Sequence, residues 1–85
     1  MSPAELSALN TLTAALLLAP SRCADLVSDA RRFASTPAMR GALDALADAF
    51  ASGVPDPAAV ADLRERHPEA ARALAWNTER LGAHL

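Results

Sequence analysis

The sequence predicts an all-α fold, a compact bundle of about five short helices forming one small domain. Three observations lead there. Ala occupies 22 and Leu 13 of the 85 positions, while Ile and Tyr are absent. That balance favours helices over sheets, whose pleated surfaces need β-branched and aromatic residues. Proline recurs just after residues able to cap a helix, and the apolar positions between prolines repeat with helical spacing. At 85 residues and 21 large apolar side chains the chain supports a single thin core.

The first helix is expected at about 3–18. Ser2, Pro3 and Glu5 supply a cap, a proline at the first helical position and a glutamate three residues after the cap, the capping-box pattern. Leu6, Leu9, Leu12, Leu16 and Leu17 share one wide face with Thr13, opposite Ser7, Thr11 and Ala14. Leu18 points away from that stripe.

Pro20 ends this helix and Ser21 is the expected cap of a second at about 22–34, making a helical hairpin. Cys23, Leu26, Val27, Ala30, Phe33 and Ala34 form its apolar face. Asp25, Asp29 and Arg32 lie outside, with Asp29 and Arg32 spaced for a weak surface pair. Thr36-Pro37 starts a third helix at about 37–52, with Gly53 as its left-handed stop. Met39, Ala42, Leu43, Leu46, Ala47 and Phe50 face inward, and Arg40, Asp44 and Asp48 outward.

Asp56-Pro57 begins a fourth helix at about 57–66, burying Val60 and Leu63, and His67-Pro68 interrupts the chain. A fifth helix at about 69–83 places Ala70, Ala71, Leu74, Thr78 and Leu81 on one side, a line that Leu85 continues. Ala45, Ala49 and Ala51 on the third helix, and Ala73, Ala75 and Ala83 on the fifth, fall outside these stripes. They are either exposed helix formers or surfaces that admit a second chain.

A formal charge of −2 and an all-Arg basic set of eight give no electrostatic footprint for DNA or RNA. The longest uncharged stretch, Leu6–Ser21, is too short and too interrupted for a membrane span, and Glu5 stands where a secretory signal needs a base. Beginning at Met1 with one cysteine, the chain reads as an intact cytoplasmic protein.

Chemistry-bearing residues are sparse. His67 and His84 stand seventeen apart without a Cys or His partner at ligand spacing, so no metal site is expected. Three glycines, at 41, 53 and 82, make no phosphate-cradling loop, and no cofactor is expected. His67 before Pro68 suits a helix junction, and His84 belongs to a fraying tail. Cys23 shares the phase of Leu26 and Ala30, as a structural thiol would. Asp25 with Asp29, and Asp44 with Asp48, sit four apart on wet faces that lack the desolvation general acid–base work requires.

Trp76 breaks the pattern. It faces the polar side of the fifth helix with Glu69, between Arg72 and Arg80, which lie four residues before and after it. A Trp flanked by Arg has the composition of an interface hot spot; alternatively it fills a second groove against the first or fourth helix, near Leu18.

Arg32-Phe33 followed by Pro37-x-Met39-Arg40 resembles an Arg-Phe-Trp-x-Pro-x-Met-Arg stretch of the small delta subunit of NAD-dependent formate dehydrogenases. Only about nine residues are covered, Ala34 stands in the tryptophan's place, the spacing is one residue longer and the last two helices lack a counterpart, so no membership is assigned. A Trp in the fifth helix is similar in architecture to death-fold and bacterial effector-associated adaptor domains, which have six helices rather than five.

The resulting expectation is a non-enzymatic interaction module or accessory subunit that docks through a helix face onto another protein or itself, with Trp76, Arg72 and Arg80 as anchors. The alternative is a small-ligand carrier with an apolar pocket between the first three helices, lined by Leu9, Leu16, Phe33, Met39 and Phe50. A solid core with Trp76 exposed favours the module; a cavity with Trp76 buried favours the carrier.

Overall fold

A computed structural model describes residues 1–82 of the chain. Five α-helices follow one another: α1 (Pro3–Leu18), α2 (Cys23–Ala30), α3 (Pro37–Ala49), α4 (Pro57–Arg66) and α5 (Pro68–Leu81). Short 3-10 turns, Pro20–Arg22 and Arg31–Phe33, bracket α2. The described residues contain no strand, so the fold is the small all-α domain that composition predicts.

Three caps act where the sequence puts them. Ser2 Oγ accepts from the Glu5 N–H at 3.2 Å while Glu5 Oε1 accepts from the Ser2 N–H at 2.9 Å, completing the capping box. Thr36 Oγ1 accepts from the Met39 N–H at 3.2 Å, and Asp56 Oδ1 from the Ala59 N–H at 2.8 Å. Each stands directly before a proline, which needs no hydrogen-bond partner at the first helical position.

Three helix ends differ from expectation. Ser21 does not cap α2; it lies in the Pro20–Arg22 turn, and α2 starts at Cys23 without a side-chain cap. At its other end α2 tightens into the Arg31–Phe33 turn instead of continuing to 34, and this change of spacing separates Asp29 from Arg32. Arg31 turns to α3 instead, pairing with Asp44 at 2.6 Å. The third helix stops at Ala49, and Gly53, at φ 111°, closes the Phe50–Gly53 turn rather than capping a helix. The left-handed cap occurs at Gly82, φ 67°, after α5. Ala83, His84 and Leu85, with the expectations placed on them, lie outside the described residues.

The core gathers Leu9, Leu12 and Leu16 from α1, Val27 and Ala30 from α2, Met39, Leu43 and Leu46 from α3, and Leu74 from α5, with Phe50 and Leu63 beside them. Helix α5 runs alongside α1 in the same direction: Glu69, Arg72 and Trp76 face Leu6–Asn10, and Asn77 reaches Asn10 and Thr13. Helix α2 runs back along the other flank of α1, so that Ser35 and Thr36 return to Glu5.

Two polar arrangements tie these elements together. Glu5, 1% exposed, accepts on Oε2 from the Ser35 N–H (3.0 Å), the Thr36 N–H (3.0 Å) and the Thr36 hydroxyl (2.9 Å). One carboxylate therefore serves the cap of α1 and the segment that starts α3. Asn77, fully buried in α5, donates to the Asn10 carbonyl (2.9 Å), Asn10 Oδ1 (3.1 Å) and Thr13 Oγ1 (2.7 Å), while its own Oδ1 accepts from Arg80 Nη2 (2.9 Å). Asn77, not Thr78, thus occupies the centre of the α1–α5 contact; Thr78 is half-buried and donates back to the Leu74 carbonyl.

Gly41 is in α3 because His67 approaches it: a Cβ there would stand 3.1 Å from His67 Cε1. His67 joins α4 to α5, its N–H donating to the Leu63 carbonyl and its carbonyl accepting from Ala71. Ala45, Ala49 and Ala73 are half-buried against the core, whereas Ala51 and Ala75 are exposed.

Candidate functional site

The largest unpaired feature of the surface is built around the outer side of α1. Its buried face takes up Leu9, Leu12, Thr13 and Leu16, which leaves Ser7, Thr11 and Ala14 as an outward ridge of small residues ending at Leu18. A groove runs along each flank of this ridge, and Ser7 lines both.

On the α2 side the groove has a volume of about 490 Å³ and is lined mainly by Ala8, Leu12, Leu26, Ala30 and Phe33, with Asp29 at its rim. Phe33 was expected in the core but is 58% exposed. The residues facing it across the groove, Ala4, Ser7, Ala8 and Thr11, are too small to cover a phenyl ring, so the ring lies along the groove wall.

On the α5 side a groove of about 480 Å³ lies between Leu6 and Trp76, with Glu69, Arg72 and Ala73 along α5. Leu6 also departs from its expected buried position and is 43% exposed. Trp76 is 53% exposed and lies against α1 rather than α4. Leu18 is not among the residues that line its groove. Arg80 stacks over the indole with its guanidinium carbon 4.9 Å from the ring centroid, anchored by its bonds to Asn77 Oδ1. Arg72 shares the groove without stacking.

The five residues proposed to line an internal pocket do not enclose one. Leu9, Leu16 and Met39 are fully buried and Phe50 is 1% exposed, whereas Phe33 is outside in the α2-side groove. The roomy apolar space between helices is displaced outward, between α1 and α2.

Among the described residues no three His, Cys, Asp or Glu side chains gather as a metal site would require. Asp25, Asp29, Asp44 and Asp48 are exposed. Cys23 is buried, with Sγ 3.8 Å from the Ala47 carbonyl, and burial pushes its thiol up from the ordinary range, which disfavours the nucleophilic thiolate. The described helices include none long and apolar enough to cross a membrane.

Sequence periodicity found Trp76 and Arg80 because they lie on one helix at i,i+4. It missed Leu6 and Phe33, which are exposed through the small size of residues on other elements.

Neither known protein families, nor curated proteins, nor solved structures yield a match to this chain.

Proposed function

We propose that the protein is a non-enzymatic interaction module that docks through the outer face of α1 and the two grooves beside it. The observation that carries this reading is the exposure of Phe33, Leu6 and Trp76 on the two flanks of α1, beside a core that is otherwise closed. Large side chains exposed together around one element characterise surfaces that another chain covers. Trp76 and Arg80 form a stacked unit that costs little further ordering on binding, and Arg72 supplies a charge at the rim. The partner is a protein rather than nucleic acid, in keeping with the net charge of −2. A single buried thiol suits the reducing cytoplasm as the site of action.

The second reading is a carrier of a small apolar ligand. It draws on the α2-side groove, whose volume of about 490 Å³ falls in the range of small-molecule sites. Its open, shallow form suits a protein side chain better.

Cross-linking followed by affinity purification from the source cells, with the native chain and Trp76→Ala side by side, tests the proposal. The module reading expects a protein cross-linked to the native chain, including a second copy of itself, and its loss with Trp76→Ala at nearly unchanged melting temperature. An unchanged cross-link pattern, or a small apolar molecule co-purifying in its place, overturns it.

A further inference from the structure

We infer that the occupant of the α1 face is a second copy of this chain, related by a two-fold axis running along α1; this rests on the interaction reading above. Three features of the face point to it.

The first is shape. The ridge Ser7, Thr11 and Ala14 is small enough for two α1 helices to approach closely, and a parallel arrangement brings the two Leu18 side chains, each 72% exposed, toward one another at its end. An axis along α1 exchanges the flanks, so the Trp76 groove of each copy faces the Phe33 groove of the other.

The second is charge. The α2 flank carries Asp29 and, three residues on, Arg32; the α5 flank carries Glu69 and, three residues on, Arg72. Because α2 runs against α1 while α5 runs with it, the axis sets Asp29 opposite the second copy's Arg72, and Arg32 opposite its Glu69. Acid meets base at both heights. None of these four groups forms an ion pair within its own chain among the described residues, where the pairs are Arg31–Asp44 and Arg66–Asp62. They are available to a partner.

The third is area. The molecule measures 30 × 25 × 22 Å, and α1 with its two flanking grooves spans most of one broad side. That is compatible with the roughly 800 Å² per partner of a standard stable interface.

Sedimentation equilibrium and native mass spectrometry of the purified full chain, from about 1 to 100 μM, test the inference through charge reversal. The native chain is expected to form dimers. Asp29→Arg alone and Arg72→Asp alone each place like charges opposite one another twice, and each is expected to raise the dimer dissociation constant about tenfold or more. Mixed in equal amounts, the two variants restore opposite charges at both contacts: the two substituted side chains face each other with their signs exchanged, and the native Arg72 of one variant faces the native Asp29 of the other. A heterodimer of near-native affinity is expected. Both variants lie on exposed positions, and circular dichroism confirms that each is folded. A native chain that stays monomeric to 100 μM overturns the second-copy inference. The same result holds if the reversals leave dimerisation unchanged or the mixture remains monomeric. A monomer that cross-links a different protein in cells leaves the interaction reading standing, whereas a monomer that cross-links none removes both.

Discussion

Thr36 donates both its backbone N–H, at 3.0 Å, and its hydroxyl, at 2.9 Å, to the same oxygen of Glu5, 31 residues earlier. The Thr36 hydroxyl in turn accepts from the Met39 N–H, so the cap of α3 is oriented by the carboxylate that completes the cap of α1. The two helix starts are one hydrogen-bonded unit.

Replacing Glu5 therefore affects more than a local cap. In Glu5→Gln the amide NH₂ faces backbone donors that need acceptors, and the charge that strengthens each bond is lost. The variant is expected to melt roughly 10 °C lower at neutral pH. Thermal denaturation followed by circular dichroism measures this, and a shift of only a degree or two would show that the bonds to Ser35 and Thr36 add little.

The same carboxylate makes a pH prediction. The Ser2 N–H first, then the donors of Thr36 and Ser35, hold its pKa at about 2 against the opposing effect of burial, compared with 4.5 ordinarily. A depressed value means that the folded state favours the anion. Its contribution is complete above about pH 4.5 and is lost as pH falls from there toward 2. The melting-temperature gap between the native chain and Glu5→Gln is thus expected to be constant from pH 5 to 7 and to narrow below 4.5. A gap that persists undiminished at pH 2 contradicts this assignment.

Capping was legible in the sequence because its determinants lie within three residues: Ser2 with Glu5, Thr36 with Met39, Asp56 with Ala59. The long-range role of Glu5 was not, since the donors come from residues 35 and 36 and depend on how α2 returns along α1. Asn77 was passed over for the same reason. A helical wheel ranks residues by polarity, whereas Asn77 is buried because Asn10 and Thr13 offer it acceptors 67 and 64 positions away. At the docking face, Trp76 and Arg80 follow from spacing on one helix, but the groove beside Phe33 exists through the smallness of Ala4 and Ala8.

Asn77 supplies a test of register. Asn77→Ala leaves Thr13 Oγ1 and the side chain of Asn10 without their donor and frees Arg80 from its anchor. The cost is expected to be about 1–3 kcal/mol in urea unfolding. Asn77→Leu, filling similar volume without polar atoms, is expected to unfold with a lower denaturant slope as α1 and α5 lose their single alignment. An unchanged slope with full stability would show that apolar packing alone sets the alignment.

Gly41→Ala is expected to stabilise. Gly in a helix interior costs about 1 kcal/mol relative to Ala, and the only nearby obstacle is the His67 ring edge, 3.1 Å from the new methyl. That ring is the end of a partly exposed side chain with no side-chain capping bond, so it can give by a few tenths of an ångström. A rise in melting temperature of roughly 2–4 °C is expected. A fall would show that His67 is held in place and that its close approach is why glycine stands there.

Leu74 and Trp76, two residues apart on α5, separate core from face. Leu74 is fully buried, and Leu74→Ala is expected to cost about 2–5 kcal/mol, enough to unfold much of so small a domain. Trp76 is the larger side chain but 53% exposed, and its losses are part of one groove wall and the Arg80 stack at 4.9 Å. Trp76→Ala, measured at concentrations low enough for the chain to be monomeric, is expected to cost about 1 kcal/mol. If the two substitutions prove equally destabilising, Trp76 belongs to the core energetically, and its exposed edge has no claim as an anchor for a partner.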